Sequence, residues 1–529
     1  FFEMDHAAPG HWNQSNVLEV DSSIDPGALE LALQACVENH DMLRARFTLN
    51  GSTWTQRIDS DARVNLERAR DSGSLEDILA AFERNLDLES GPLFRAVLIE
   101  RPTSESNLLF LAVHHLVMDV VSWTILIDDL EHAYLQAIAG EEIVFPARST
   151  SYRDWVVHLQ SEDVSGEHGH WAVQGEDSGE DAPRMWGTEA TRRTVTVELD
   201  PDVTGRLLRD ANDAFRTRPE ELMLAALAPL LDPQSDGTVR IALERHGRPS
   251  DVPGIDLSRT VGWFTAQYPV TLDTTAADEA GLIRATKETL RSVPNGGVGY
   301  GKLRYLDRLP DLVVQSEPAY LFNYLSRASA DSGALFRWVS SSDDSGRDPD
   351  NGRAHRIEIV AALQHGRLAV MWHFSTLHDD QAAVQVLAEN HLDRLRGLVA
   401  FCMADDVGGL TPSDFPAAGL DQSELDRFLD GMAELNATVF STEFTDLQVK
   451  SSAVDQNTGS IVTIIGNAGE ATSEGIELDG RIALVDWLTL GGTAAWLNAE
   501  YDKYDAGPCN NSRTTGPGSL PGTCDLGGE

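Results

Sequence analysis

The feature that most constrains the fold is a continuous apolar run that leads into two adjacent histidines. The run, Asn107-Leu108-Leu109-Phe110-Leu111-Ala112-Val113, has the length and composition of a buried strand, and His114 and His115 follow it directly. Behind the histidines, apolar residues recur at helical spacing at Ile125, Leu126, Ile127, Leu130 and Tyr134. The pattern predicts a buried strand that ends at the histidine pair and a helix that follows it. Strand ends are common places for reactive groups in α/β folds.

Strand and helix patterns alternate in the same way on both sides of an acidic segment, residues 176–191. We interpret that segment as a solvated linker. Residues 1–175 then form an N-terminal lobe that contains the histidine pair, and residues 192–425 form a C-terminal lobe. The fold class that follows is α/β, with two related sandwiches of strands and helices.

The pattern changes again after residue 421. From Asn436 the chain alternates apolar and polar residues in runs that cover 436–449, 475–484 and 488–497. Runs of this length and period are typical of membrane β-barrel strands and also of an ordinary antiparallel meander. We therefore expect antiparallel β-hairpins in residues 436–529.

The charge balance limits the class of partner. The chain carries 84 acidic and 41 basic residues, which gives a formal net charge of −43. Binding to nucleic acid needs a basic surface that displaces counterions, so we expect no nucleic-acid partner. The same excess argues against an anionic membrane surface, and we expect membrane contact only if the barrel-like tail is genuine.

The histidine pair itself indicates acid/base chemistry. Adjacent strand residues point to opposite faces, so one imidazole can face a cavity while the other packs behind it. His115 and Asp119 would supply only two ligands to a metal ion, and we expect no metal site. A histidine titrates near neutral pH, which suits a general acid or base. We interpret Asp119 as a structural buttress, paired with an arginine.

Several motifs in order resemble the epimerization branch of the condensation superfamily of nonribosomal peptide synthetases. The resemblance covers residues 1 to about 430. It is carried by the HHxxxD motif that ends in Ser122-Trp123, and by Phe1-Phe2-Glu3, His11-Trp12-Asn13-Gln14, Glu244-Arg245-His246-Gly247-Arg248, Arg259-Thr260-Val261-Gly262-Trp263-Phe264-Thr265, Phe322-Asn323-Tyr324-Leu325 and Leu410-Thr411-Pro412-Ser413-Asp414-Phe415.

The resemblance implies two chloramphenicol-acetyltransferase-like lobes arranged in a V, and a cytoplasmic enzyme. The implied activity is L-to-D epimerization at Cα of an aminoacyl or peptidyl thioester, which arrives on the phosphopantetheine arm of a carrier protein. The implied partners are that carrier and the neighbouring synthetase modules, and no cofactor is bound by the domain itself. By the match, His115 and Glu244 are the two acid/base groups, supported by His114, Asp119, Ser122, Trp123, His246, Arg259, Asn323 and Tyr324.

Three residues depart from the family pattern. Val120 stands where the family has Gly, and Val would be poorly suited if that position needs a positive φ or a close approach of the substrate arm, which would impair activity. Arg245 replaces the first Gly of the motif around Glu244 and adds bulk and charge. Ser326 follows Phe322–Leu325 where the family has Gly. Two alternatives to epimerization stay open: a condensation domain that forms a peptide bond between carrier-bound substrates, and a non-catalytic domain that is degraded or chimeric.

The tail resembles late barrel strands of a TonB-dependent outer-membrane receptor. Residues 436–529 supply too few strands to close a barrel, and an open barrel leaves edges exposed. We interpret the chain as chimeric, with a junction near residues 425–436. A genuine fusion is the alternative, and outer-membrane transport by the tail would need a plug domain.

Overall fold

The protein is described from a computed structural model. It describes residues 1–4, 6–51, 53–71, 75–84, 86–101, 106–175, 185–231, 237–249, 252–325, 335–342, 346–405, 407–431, 434–445, 448–454, 461–467, 470–485, 488–503, 507–508 and 523–524. Ser326 lies outside the described residues. The chain divides into two compact units, Phe1–Asp414 and Phe415–Glu529. That division comes earlier than the predicted lobe end at residue 425.

The N-terminal part of the first unit follows the predicted alternation. Its elements are β1 (Asn13–Asp21), α1 (Pro26–Asn39), β2 (Ala45–Asn50), β3 (Thr53–Ile58), β4 (Leu66–Arg70), α2 (Leu75–Glu83), β5 (Phe94–Glu100), β6 (Ser106–His114), α3 (Val120–Ala139), α4 (Tyr152–Ser161) and α5 (His168–Val173). The predicted buried strand and the helix behind the histidine pair are thus confirmed as β6 and α3. Asp25 caps α1 through the backbone N–H of Ala28, with Pro26 at its first position.

The central part of the chain builds a second set of elements. They are β7 (Arg192–Glu198), α6 (Pro201–Leu208), α7 (Pro219–Leu231), β8 (Thr238–Arg245), β9 (Ala266–Asp273), α8 (Glu279–Arg291), α9 (Val298–Gly301), α10 (Pro310–Val313), β10 (Tyr320–Leu325), β11 (Arg337–Ser342), β12 (Ile357–Gln364), β13 (Arg367–Ser375) and α11 (Gln381–Cys402).

Two large sheets organise the described part of the first unit, beside the two-stranded β2–β3 hairpin. The N-terminal sheet has the order β11-β1-β6-β5-β4, and the C-terminal sheet has the order β7-β13-β12-β10-β8-β9. β8, β10 and β12 run parallel, so their carboxyl ends meet at one edge of the C-terminal sheet. The mixed α/β fold predicted from the sequence is confirmed.

The C-terminal sheet has one apolar and one polar face. Along β8, Ile241 and Leu243 belong to the large core that the surrounding helices cover, whereas Glu244 lies on the opposite face. Along β12, Ile357 and Ile359 join that core, and Glu358 between them is buried on the other side. A polar sheet face of this kind needs compensating partners, because a buried charge is costly when it is unpaired.

Two segments from the central part of the chain lie in the N-terminal lobe. β11 extends the N-terminal sheet by pairing antiparallel to β1. Phe336 and Val261 pack in the N-terminal core. The lobes predicted as 1–175 and 192–425 are therefore interleaved, because these segments supply a sheet edge and core side chains that residues 1–175 lack.

The second unit contains antiparallel strands, as predicted for the tail. Its elements are α12 (Gln422–Gly431), β14 (Glu434–Thr445), β15 (Gln448–Val454), β16 (Ile461–Asn467), β17 (Glu470–Val485), β18 (Leu488–Lys503), β19 (Gly507–Pro508) and β20 (Thr523–Cys524). β17 lies between β14 and β18, and both pairings are antiparallel. None of the helices in the described ranges has the length and apolar character that a membrane span requires.

A close backbone approach fixes the glycine that lies just after β8. Gly247, just after β8, has φ of +59°, and a Cβ at this position would lie 1.8 Å from the carbonyl oxygen of Phe264. The turn after β8 thus packs backbone against backbone on the segment 259–265. Gly51, in the β2–β3 hairpin, has φ of +65° but nothing within 4 Å of the same position.

These two glycines make a matched pair for a stability test. We expect Gly51→Ala to lower the free energy of unfolding by about 1 kcal/mol, because only the left-handed backbone is strained. We expect Gly247→Ala to cost roughly 1–3 kcal/mol more, because the methyl group also collides with Phe264. Denaturant unfolding of the full chain measures both values, and equal losses would contradict the close approach.

Candidate active site

His114 and His115 have different surroundings. His114 is fully buried at the end of β6, where its Nε2 donates to the carbonyl oxygen of Pro9 (2.8 Å) and its Nδ1 accepts from the backbone N–H of Leu116 (3.2 Å). Burial lowers the pKa of His114 to about 4. His114 is therefore neutral and structural, which confirms that one member of the pair packs behind the other.

His115 is partly exposed. Its Nδ1 donates to the carbonyl oxygen of Met118 (2.8 Å), and its ring lies 4.5 Å from the ring of Trp263. Burial lowers the pKa of His115, and the hydrogen bond to Met118 only partly opposes this. A neutral imidazole that donates through Nδ1 keeps its lone pair on Nε2. That nitrogen can accept a proton.

Asp119 and Ser122 hold the start of α3 against the segments that follow β8. Asp119 is buried, caps α3 through the N–H of Ser122 (2.7 Å), and accepts from the N–H of Phe264 (3.1 Å) and from Arg248 Nη2 (3.1 Å). Ser122 Oγ donates to the carbonyl oxygen of Gly262 (2.9 Å) and accepts from Arg248 Nη2 (2.9 Å). We call these five residues the Asp119–Arg248 clamp. Asp119 is paired with an arginine, as predicted.

Glu244 lies near the end of β8, beside Asn323 near the end of the neighbouring strand β10. Asn323 Nδ2 donates to Glu244 Oε2 in a short hydrogen bond. Burial, followed by the charge of Glu358, raises the pKa of Glu244, the charge of Arg347 opposes both, and the resulting pKa is about 7. A carboxyl group with this pKa holds a proton for about half of the time near neutral pH and can donate or accept it.

Tyr324 has a different environment from Asn323. It packs against the C-terminal core, and burial, followed by the charge of Glu220, raises its pKa. Adjacent strand residues face opposite sides of a sheet, so Asn323 reaches Glu244 and Tyr324 does not share that face. Of the two residues in the motif, only Asn323 is brought to Glu244.

The sequence reasoning missed Arg347, whose charge acts on both acid/base candidates. Its guanidinium lies 4.4 Å from the ring centroid of Trp12, and its charge lowers the pKa of both His115 and Glu244. It forms ion pairs with Glu189 (3.0 Å) and Glu358 (3.4 Å). The segment around Arg347 has no periodic pattern and belongs to no motif that we recognised, so no local signal pointed to it.

A second buried arginine completes this charge cluster. Arg353 is fully buried and forms ion pairs with the same two carboxylates, Glu189 (3.4 Å) and Glu358 (3.4 Å). Although burial alone would raise the pKa of Glu358, the two arginines hold it well below its usual range. Glu358 is therefore a fixed negative charge beside Glu244. It explains part of the raised pKa of Glu244.

His246 and Arg259 lie in other surroundings. His246 is exposed, and its Nδ1 accepts from the backbone N–H of Arg248 (3.1 Å). Arg259 forms ion pairs with Asp128 (2.9 Å) and Asp129 of α3. These contacts support a structural role for Arg259, which holds the segment 259–265 against α3.

The two departures from the family pattern that the structure describes are accommodated. Val120 is the first residue of α3, 42% exposed, and its backbone is helical. The backbone therefore does not need a positive φ at this position. Arg245 points away from Glu244 and forms an ion pair with buried Glu220 (2.6 Å), so its added charge is compensated.

Comparisons with known proteins agree with the two-unit division. Residues 1–396 match the family described as Condensation domain, and residues 418–522 match the one described as TonB dependent receptor-like, beta-barrel. The first match ends at residue 396 and the second begins at residue 418, and both positions precede the junction predicted at residues 425–436. The chain is 33% identical over 460 residues to one of the linear gramicidin synthase proteins of Brevibacillus parabrevis, and the match covers 81% of this chain and 6% of that protein.

Two solved structures also superpose on most of this chain. The epimerization domain from the third module of tyrocidine synthetase B superposes with a TM-score of 0.68 at 30% identity, covering 76% of this chain and 94% of that one. The X-domain from teicoplanin biosynthesis has a TM-score of 0.62 at 20% identity, covering 77% and 93%, and supports the fold. The chain spans less than a tenth of the length of the linear gramicidin synthase proteins that it matches.

The raised pKa of Glu244 predicts a pH-dependent cost to stability. The folded pKa of about 7 lies above the usual value of about 4.3, so the folded state binds the proton more tightly and loses stability as pH rises from about 4 through 7. Glu244→Gln carries no such charge and can still accept from Asn323. We expect the variant to gain on the order of 2 kcal/mol over the parent across that range, with a constant difference above it.

Denaturant unfolding at a series of pH values measures this difference. Glu89→Gln, at an exposed position, is the matched control and is expected to follow the parent. A difference between Glu244→Gln and the parent that does not change with pH would contradict a desolvated carboxyl with a raised pKa.

Proposed function

The chain belongs to the condensation domain family of nonribosomal peptide synthetases, and from this premise we propose that it epimerises carrier-bound substrates. The proposed reaction converts L to D at Cα of an aminoacyl or peptidyl thioester. The observation that carries the proposal is that the charge of Arg347 acts on both His115, whose pKa burial lowers, and Glu244, whose pKa is raised to about 7. The likeness to a solved epimerization domain supports the same activity.

The proposed reaction uses one proton donor and one acceptor on opposite faces of Cα. His115 Nε2 takes the Cα proton, and the electron pair of the C–H bond moves toward the thioester carbonyl to give an enolate. The protonated carboxyl of Glu244 then delivers its proton to the other face of Cα. The pair finishes as imidazolium and carboxylate with the same total of protons, and exchange with solvent resets it.

Asn323 and Arg347 take supporting roles in this proposal. The hydrogen bond from Asn323 fixes the orientation of the Glu244 carboxyl group. The charge of Arg347 counters the effects of burial and of Glu358 on Glu244, which keeps its pKa near neutral pH rather than higher. The substrate arm and its carrier protein, the neighbouring modules and a cytoplasmic location come from the resemblance and remain predictions.

A condensation domain is the competing activity within the same family. Peptide-bond formation needs an amine on a second carrier and does not need a proton donor on the far side of Cα. Glu244 with its raised pKa, and the Ser122-Trp123 ending of the histidine motif, favour epimerization.

Deuterium exchange tests the proposal directly. The full chain is incubated in heavy water with a phosphopantetheinylated carrier, loaded in turn with each proteinogenic L-amino acid. We expect deuterium at Cα together with D-product. We expect His115→Gln to reduce the rate by about 10²–10⁴-fold, and Glu244→Gln to abolish inversion. Glu89→Gln is the control. A loaded cognate carrier that neither exchanges nor inverts would contradict the proposal, and dipeptide formation with a second loaded carrier would favour condensation.

The rate of exchange should follow a bell-shaped pH profile. The reactive form carries one proton shared between His115 and Glu244, so activity falls when a second proton is bound at low pH and when the last one is lost at high pH. The raised pKa of Glu244 predicts that the alkaline limb lies near pH 7 or above. Initial rates between pH 5 and 9 measure the profile. A rate that keeps rising beyond pH 9 would contradict a required protonated carboxyl.

Val120 provides a test of the degraded-domain alternative. Its exposed side chain stands at the start of α3, within five residues of His115. We expect Val120→Gly to change the exchange rate by less than about tenfold, because the helical backbone at this position does not require Gly. Exchange that appears only in Val120→Gly, and is absent from the parent chain, would instead support a degraded domain.

A further inference from the structure

We propose that Gln14 is a positioning residue that fixes the tautomer of His115, and that Trp123 fixes the direction of the Gln14 amide. The inference rests on the proposed function for its catalytic meaning. The position of the proton on the His115 ring can be measured without a substrate.

Three side chains form one chain of hydrogen bonds. Trp123 Nε1 donates to Gln14 Oε1 (3.0 Å), and Gln14 Nε2 lies 3.1 Å from His115 Nε2. At the far side of the imidazole, His115 Nδ1 lies 2.8 Å from the carbonyl oxygen of Met118. The chain runs from α3 through β1 to the turn that follows β6.

The end groups of this chain are the indole N–H of Trp123 and the carbonyl of Met118. Their hydrogen-bonding capacities determine which atoms between them carry protons. An indole N–H can only donate, so the amide oxygen of Gln14 must face Trp123 and its NH₂ group must face His115. A backbone carbonyl can only accept, so His115 Nδ1 carries the proton. His115 Nε2 then holds a lone pair and accepts from Gln14. Both ends therefore require the same neutral tautomer.

The backbone places Gln14 where it can do this. Gln14 pairs with Val113 in the β1–β6 ladder, and the N–H of His115 donates to the carbonyl oxygen of Trp12 (2.8 Å). Asn13, on the opposite face of β1, donates through its side chain to the backbone of Glu83. These hydrogen bonds hold β1 on both sides. They therefore fix the backbone of Gln14 at a position from which its side chain contacts His115.

The arrangement also disfavours a charged His115 in the resting site, and uptake of the Cα proton at Nε2 requires the hydrogen bond from Gln14 to open first. An imidazolium would place an N–H on Nε2 against the NH₂ group of Gln14, and the amide cannot turn round without opposing the N–H of Trp123. Other groups act on the same ring: Arg347 lowers its pKa, Asp119 raises it, and neutral His114 stands beside it. Gln14 thus acts in the same direction as burial and Arg347.

The matched variants separate positioning from simple packing. Gln14→Glu replaces the donor by a carboxylate that accepts a proton from Nε2, so we expect the pKa of His115 to rise by about one unit or more. Gln14→Met keeps the volume and removes the donor, so we expect a smaller rise. Trp123→Phe frees the amide to turn, and we expect an intermediate rise. Gln385→Met, on the exposed side of α11, is the control.

The measurement is ¹⁵N NMR of the full chain labelled at histidine, with His115 assigned from the signals lost in His115→Gln. In the parent we expect Nδ1 protonated and Nε2 bare at pH 7. Trp123 acts through Gln14 in this scheme, so the effect of Trp123→Phe should vanish in the Gln14→Met background. An Nε2-protonated parent, an unshifted pKa in Gln14→Glu, or additive effects of the two substitutions would each overturn the proposal.

The exchange assay then connects the tautomer to the reaction. We expect the acid limb of the pH profile to move upward in Gln14→Glu by the same amount as the pKa measured by NMR. A parent chain without exchange would contradict the proposed function and leave the NMR result standing. A tautomer other than the expected one, in a chain that does exchange, would overturn the inference about Gln14 and leave the proposed function standing.

Discussion

The Asp119–Arg248 ion pair is the contact on which the rest of the first unit depends. It joins the N-terminus of α3 to the turn after β8, and the same two side chains bind Ser122 and the backbone of Phe264. Both charged groups are buried, so neither can lose its partner without leaving an uncompensated charge. Removal of one partner in such a pair typically costs about 3–5 kcal/mol. His115 lies one turn before α3 and Glu244 lies just before the turn after β8, so this single contact links the backbones that carry both acid/base candidates.

The electrostatics of the site follow from a sheet with one polar face. Glu244 and Glu358 occupy that face, and two arginines from the segment 346–353 compensate Glu358 far better than Glu244. One carboxylate therefore stays ionised, and the other titrates near neutral pH. Two chemically identical side chains acquire opposite behaviour from their surroundings alone, which is how a protein obtains an acid and a base from the same residue type. The same segment reaches back to β1, where the N–H of Asn13 donates to the carbonyl oxygen of Gly346 (2.6 Å), and this places Arg347 beside Trp12.

The structure accommodates two residues that depart from the family pattern, Arg245 and Val120. Arg245 would add bulk and charge beside Glu244 if both side chains shared a face. Strand alternation directs Arg245 to the other face, where Glu220 pairs with it. Val120 would be unsuitable in a left-handed turn, yet it occupies the first position of a helix.

The second unit, Phe415–Glu529, matches a different family and is compact by itself. Every residue in the chemistry argued above belongs to the first unit.

The sequence by itself determined most of the elements, and its resemblance to a known family indicated which residues are the candidate acid/base groups. The apolar run before His114 and the alternation after residue 436 predicted their structures correctly, because hydrophobic periodicity is a local property. The tertiary structure alone decided what surrounds those groups. The pairing of Arg248 with Asp119, the approach of Arg347 to both His115 and Glu244, the link from Trp123 through Gln14, and the placement of β11 in the N-terminal sheet join residues far apart in the chain. No local pattern encodes such contacts, since they depend on which faces meet after the chain has folded, and they set the protonation states on which any chemistry at this site depends.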